Sequence, residues 1–365
     1  MHVFLRSASI LLAASVFLNA ACSDNDDDNN KTGLNGFAVS PLLSDQTGVA
    51  PNTDPNLVNA WGLAMDSQSF WIANNATGII SVVAADGSPS KFPPPASALN
   101  LGPGITGIVA NTTNAFQIGQ TNNAAPAVML VCSETGQIFA INADVASTPA
   151  VVVDRSADGA SYKGLTIFTT SAGAVRLAAA DFHNGRVDVF DENFALLSEI
   201  TFVDPLLTSG LAPWNLVTIG NNVFVMYAIQ DADAEDEVAG VGNGRIDVFD
   251  VDGNFVQTIL EGGLLNAPWG LVQVNDTFSS QLDGFLIAGN FGDGTLLAID
   301  PSTGDNAYLR NSSNNNEPLI VDGVWGLMFG NGQFVGSTSS LYFAAGPDDE
   351  THGLFGRVVL TSAVP

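Results

Sequence analysis

Two groups of residues in this sequence have the types and spacing for chemistry. His183 follows Asp181 in Ala180-Asp181-Phe182-His183-Asn184-Gly185, where it could act as a base or a metal ligand. The run Gln230-Asp231-Ala232-Asp233-Ala234-Glu235-Asp236-Glu237 is the densest acidic cluster beyond the N-terminal region. Asp231, Asp233 and Asp236, or Glu237 in its place, could supply oxygens to a hard cation such as Ca²⁺. The run lacks the glycine and the distal glutamate of an EF-hand loop. Plainer readings stand beside both: a histidine that fills a turn, and a solvated acidic loop. No nucleophile elbow, P-loop, zinc helix or paired-cysteine motif is present. Any site must therefore be assembled by the fold.

The elements that would assemble it are repeated. Trp61-Gly62-Leu63, Trp269-Gly270-Leu271 and Trp325-Gly326-Leu327 share one core, and Trp214-Asn215-Leu216 repeats it with Asn for Gly. Weaker copies occur at Ile105-Thr106-Gly107-Ile108 and Tyr162-Lys163-Gly164-Leu165. The central positions fall at 62, 107, 164, 215, 270 and 326, a spacing that points to a radial array of small sheets. Each copy opens a unit of short β-rich runs bounded by Gly, Asn and Asp. In the fifth unit Trp269 to Val274, Gly284 to Ala288 and Thr295 to Asp300 read as successive strands. The phrase Arg-Val/Ile-Asp-Val-Phe-Asp occurs twice, at 186–191 and 245–250. Convincing helical periodicity is absent after residue 22. The expected fold is all-β: a six-bladed β-propeller.

Fourth strands are expected at Ala150 to Asp154, Leu196 to Phe202, Phe255 to Leu260 and near Tyr308. The last unit has three strands, Trp325 to Phe329, Leu341 to Ala345 and Leu354 to Leu360. Phe37 to Leu42 is expected to supply its outer strand and close the ring, which removes two open edges. Pro41 suits an outermost strand with one unpaired side. The first unit's outer strand is obscure, because Lys91-Phe92-Pro93-Pro94-Pro95 is rich in proline.

In such a ring the first strand of each unit lines a channel, and the loops entering it share one face. That face is expected to gather Asn59, Asn74, Asp181, His183, Asn184, Gln230, Asn290, Asp322 and His352, with Asp231, Asp233, Asp293 and Asp348 nearby. Converging polar side chains suit a cation or a sugar, although tight turns require the same residue types. The four repeated tryptophans are expected to pack between neighbouring blades, with stacking on a ligand in the channel as the alternative.

Residues 1–21 read as a signal peptide, with Arg6 before the apolar run Ile10 to Leu18, which is too short to span a membrane. Asn19-Ala20-Ala21-Cys22 resembles a lipoprotein cleavage box with Cys22 lipidated. A plain signal cut nearby is the alternative. Residues 22–35, rich in Asp and Asn, read as a flexible tether, and 36–365 as a single propeller domain. The chain carries 10 Lys and Arg against 37 Asp and Glu, a net charge of −27. That balance disfavours nucleic acid and anionic membrane surfaces. Cys132, in an apolar strand, reads as a buried free thiol.

Asp54 to Leu63, Ala180 to Gly185, Gln230 to Asp233 with Gly242-Asn243-Gly244, and Gly289 to Gly294 together resemble a family of exported bacterial propeller proteins. That family is similar to NHL-repeat propellers and, more distantly, to the gluconolactonase type. The resemblance implies the fold and no particular chemistry. The expected function is an envelope-located, monomeric binding or scaffold module that offers one polar face to a protein, sugar or other small ligand. It would touch the membrane only through its N-terminal lipid. The alternative is a Ca²⁺-dependent hydrolase of the lactonase or esterase kind, with its site at the channel mouth.

Overall fold

The computed structural model describes residues 34–91, 99–120 and 122–361. The expected signal peptide, Cys22 and most of the expected tether lie outside the described residues. What is described is built almost wholly of short antiparallel strands, as β-branched and aromatic runs punctuated by glycine dictate.

Among the described residues six sheets of three or more strands follow one another along the chain, beside a small two-stranded one, Gln117–Ile118 with Ala125–Pro126. The first has three strands, Ala60–Met65, Phe70–Asn74 and Ile79–Val83. The second is ordered Ile105–Ala110, Met129–Ser133, Gln137–Ile141, Ala150–Asp154. The third runs Tyr162–Thr169, Val175–Asp181, Arg186–Phe190, Leu196–Leu197. The fourth runs Leu211–Ile219, Asn222–Ile229, Arg245–Asp250, Phe255–Glu261. The fifth runs Pro268–Gln273, Leu286–Asn290, Leu296–Ile299, Asn306–Tyr308. The sixth contains Val324–Phe329, Ser340–Ala345, Leu354–Leu360 and, beyond them, Phe37–Ser44. Five of these sheets have four strands or more, so the count of full blades is five where the repeat led us to expect six. The first has three strands among the described residues, and the proline-rich stretch that left its outer strand obscure falls mostly within 92–98, outside the described residues. Single bridges Val83↔Pro89 and Ile79↔Asn100 flank that stretch.

Phe37–Ser44 pairs antiparallel with Leu354–Leu360, from Phe37↔Leu360 to Ser44↔Leu354, with a bulge between Pro41 and Leu43. It is not the outermost strand, since Phe37 also pairs with Asn311 and Leu43 with Asn52. Pro41 sits between those two contacts, where no partner needs its missing N–H. The expected strand Leu196 to Phe202 stops at Leu197. Phe202 is buried against Phe168 and Phe249, with ring centroids 5.6 and 5.5 Å away, and its burial draws the chain onto the fourth sheet.

The inner strands meet around a narrow axis. A Cβ on Gly62 would overlap the Thr106 carbonyl, one on Gly164 the Asn215 side chain, and one on Gly270 the Trp325 carbonyl. One on Gly107 would come 2.9 Å from Gly164 Cα, and one on Gly326 2.7 Å from Leu63 Cβ. Asn215, the exception to the glycine rule, donates Nδ2 to the Trp269 carbonyl at 2.9 Å. The repeat is thus a packing device: small residues let each inner strand rest on the next. Cys132 is fully buried as expected, and burial pushes its thiol up to about 12, so it is inert at neutral pH.

Candidate functional site: the polar mouth of the channel

In four units the residue before the central position is a tryptophan, and these tryptophans find one another at the axis rather than the seams between sheets. Trp61 stacks on Trp325 at 3.8 Å, and Trp325 stacks on Phe291 at 3.8 Å. Trp214 and Trp269 lie 5.9 Å from Trp325, tilted and edge-on. All four indoles are at most 5% exposed, so they form an aromatic plug across the channel. Asn59 supports it, accepting a hydrogen bond from Trp325 Nε1 at 3.1 Å.

Lys163 occupies the matching position in the third unit, and its chemistry departs from the pattern. Its side chain is 1% exposed, with Nζ 2.6 Å from Glu134 Oε1 and 3.2 Å from Asp236 Oδ1. The ammonium also lies 5.6 Å from the Trp61 ring centroid and 5.3 Å from that of Trp214. Burial opposes its charge, and the two carboxylates more than offset that, so its pKa stands above the usual lysine value.

Two cavities open at this mouth, with Asp236 on the wall of both. One, of about 620 Å³, is lined by Glu134, Ser156, Ser161, Lys163 and His183. The other, of about 430 Å³, is lined by Glu237, Phe291, Asp293, Asp322, Asp349 and Glu350, and by no basic residue. Burial, then the charges of Asp236 and Glu350, pushes Glu237 up to about 7. Burial likewise raises Glu350, against a hydrogen bond from Asn59. The turn presenting Asp349 and Glu350 is held at φ 56, 51 and 63° over Asp348, Asp349 and Glu350. Three successive non-glycine residues in the left-handed region store backbone strain beside the cavity.

The expected face only partly materialises. His183 and Asp322 line the two cavities. Asp181 is fully buried and accepts from Ser161 N, Asn184 Nδ2 and the Arg186 guanidinium. That makes it a turn organiser, with no proton transfer partner in His183, whose side chain is exposed. Asn184 is spent on Asp181. Asn74 and Asn290 are fully buried, bonded to Ser81 and to Thr295 and the Leu264 carbonyl. Gln230 donates to the Phe182 carbonyl at 2.6 Å. His352 Nδ1 lies 2.8 Å from Asp45 Oδ2, so it is committed to the Asp45 turn. The expected metal triad does not form. Asp231 Oδ1 accepts the Glu235 N–H of its own loop, Asp236 goes to Lys163, and Asp233 is exposed. Among the described residues no group of three or more His, Cys, Asp or Glu is arranged to hold a metal ion.

Sequence reasoning missed Lys163, Glu134 and Glu350. For Lys163 the signal was there: a lysine, one of very few, aligned with four tryptophans.

No protein-family model matches the sequence. It is 30% identical over 349 residues to uncharacterized protein L690 of Acanthamoeba polyphaga mimivirus, covering 88% of this chain and 86% of that protein. It is 31% identical over 336 residues to protein R648 of the same virus, with 88% and 80% covered. The bacterial origin that the resemblance implied is therefore not supported. Among solved structures, the soluble aldose sugar dehydrogenase of Escherichia coli superposes with TM-score 0.53 at 13% identity, over 89% of this chain and 100% of that one. This likeness concerns the fold, which is an all-β propeller.

Proposed function

The chain belongs to the family of the mimivirus proteins L690 and R648, and we propose that it is a binding module whose polar channel mouth takes a ligand bearing an ammonium group. The observation that carries this reading is the 430 Å³ cavity, walled by six carboxylates, floored by Phe291 and free of basic side chains. Lys163 is an internal precedent: an ammonium already sits over the plug between two carboxylates. A ligand cation would repeat that arrangement on the other side of Asp236, with Phe291 under its apolar part.

The rest of the reading is architectural. We take the three-stranded first sheet as a sixth blade, on the strength of the contacts Gly62 makes with the second inner strand and Gly326 with the first. The pairing of Phe37–Ser44 with Leu354–Leu360 is then the clasp of the ring. We further propose export by residues 1–21, anchoring through Cys22 and a tether over 22–35, which together place a monomeric propeller at the cell envelope.

Calorimetric titration of glucosamine, with glucose and Ca²⁺ as controls, tests the ligand class. Glucosamine binds saturably and glucose does not. Because a bound cation favours the ionised form of Glu237, binding near pH 7 releases protons, which a change of buffer reveals. Equal heats from glucose, or no heat from glucosamine, would sink the reading. Binding of Ca²⁺ alone would return the metal alternative.

A further inference from the structure

The phrase Arg-Val/Ile-Asp-Val-Phe-Asp forms the third strand of both the third and the fourth sheet, and the two copies have different neighbours. In the fourth sheet the outer strand covers the whole phrase, pairing Arg245↔Glu261, Ile246↔Leu260, Asp247↔Thr258, Val248↔Gln257 and Phe249↔Phe255. In the third sheet the outer strand pairs only Val189↔Leu197 and Phe190↔Leu196. Along Arg186, Val187 and Asp188 the chain has been drawn away by Phe202, and a cavity of about 350 Å³ takes its place, lined by those residues with Arg155, Leu196 and Tyr227 among others.

The charges differ in the same sense. Arg245 is 4% exposed in its side chain and meets three carboxylates, those of Asp204, Asp247 and Glu261. In the third sheet two guanidiniums, Arg155 and Arg186, share the buried Asp181 and Asp188, and Arg186 remains 45% exposed. Arg155 adds only Asp158, whose side chain is 57% exposed. One carboxylate fewer serves each arginine here, and the missing one corresponds to Glu261 of the sister strand. Tyr227, on the cavity wall, is 1% exposed, and its hydroxyl has no hydrogen-bond partner. Leu196 and Val203, 44% and 63% exposed, give the cavity an apolar rim.

We infer that this edge accepts an extended segment of another polypeptide, added as a strand along Arg186–Asp188, with a carboxylate set against Arg186 as Glu261 is set against Arg245. The fourth sheet is the template: main-chain pairing supplies most of the affinity, and the carboxylate supplies selection. The unpaired edge and the half-exposed arginine then have one common partner.

The template also provides the probe. A fluorescently labelled peptide Thr-Ile-Leu-Glu, the sequence of Thr258 to Glu261 that pairs along Arg245 to Asp247 in the template, is titrated against the full chain and followed by anisotropy. Saturable binding is expected. Replacing the peptide's Glu by Gln, or Arg186 by Gln, weakens it roughly tenfold, the worth of one partly exposed charge-assisted pair. Backbone N-methylation of the peptide abolishes it. Asp181 keeps Ser161 N and Asn184, and Asp188 keeps Tyr162 and Arg155, so the Gln variant folds, which a cooperative melting transition confirms even if its midpoint falls. Absence of saturable binding, or equal binding to the folded Arg186→Gln variant, overturns the inference.

Discussion

The channel has two ends that share the same six inner strands and differ in almost every other respect. Below the tryptophan plug lies a cavity of about 470 Å³, lined by Leu63, Ile108, Leu165, Leu216, Leu271 and Leu327, each the residue after the central glycine or its Asn215 substitute. Above the plug lie Lys163, the carboxylates and the left-handed turn at Asp348 to Glu350. The lower end is built by the strands themselves, so a regular ladder repeats one aliphatic side chain around the axis. The upper end is built by the segments entering and leaving those strands, which differ in length and composition. Regularity serves packing, and departures from it, Lys163 above all, bring charge to the axis.

Three changes separate these contributions, from the largest effect to the smallest. Gly62→Val attacks the waist common to both ends, since its Cβ would meet the Thr106 carbonyl, which cannot rotate away. A loss of about 4 kcal/mol, beyond ordinary overpacking because the obstacle is backbone, is expected by chemical denaturation, and glucosamine binding is lost with it. Leu216→Ala removes a fully enclosed aliphatic group from the lower end and should cost about 3 kcal/mol while leaving affinity at the upper mouth within twofold. An equal loss of affinity would show that the two ends are mechanically coupled through the plug.

The third change is read through pH. Glu237 rests near 7 when folded against 4.5 unfolded, so the folded state holds the proton more tightly. This group therefore favours folding most below pH 4.5, and that favour is lost as pH rises from 4.5 through 7. Against the same titration, Glu237→Gln should flatten the loss across that window and leave the profile outside it unchanged. A melting-temperature series from pH 4.5 to 7.5 on both proteins checks this, and parallel profiles would remove Glu237 from the buried acids of the mouth.

The same contrast explains what was legible in the sequence. Strand positions were, because alternation and glycine punctuation are local: Ala150–Asp154, Arg245–Asp250 and Leu354–Leu360 lie where the pattern put them. The plug was legible as a repeated tryptophan but not as a stack, since whether an inner-strand side chain faces the axis or a seam depends on the ring. The turn residues misled, because Asp181, Asn74 and Asn290 have the composition of a ligand face and are consumed in holding the turns. Asp231, expected as a metal ligand, accepts the Glu235 N–H of its own loop in the same way. Lys163 and Glu134 meet across 29 residues, and Lys163 and Asp236 across 73, which no local reading supplies.

The aromatic plug has an optical consequence. Four of the five tryptophans, Trp61, Trp214, Trp269 and Trp325, are held within van der Waals or near-contact range, while Trp71 stands apart with its Nε1 on Asp66. Indoles this close exchange excitation faster than they emit, so their fluorescence depolarises without any tumbling, and their transitions couple into a paired near-ultraviolet circular dichroism signal. A cation arriving beside Phe291, whose ring is stacked on Trp325, perturbs that coupled set directly. The molecule thus carries an unlabelled reporter in the floor of its own mouth.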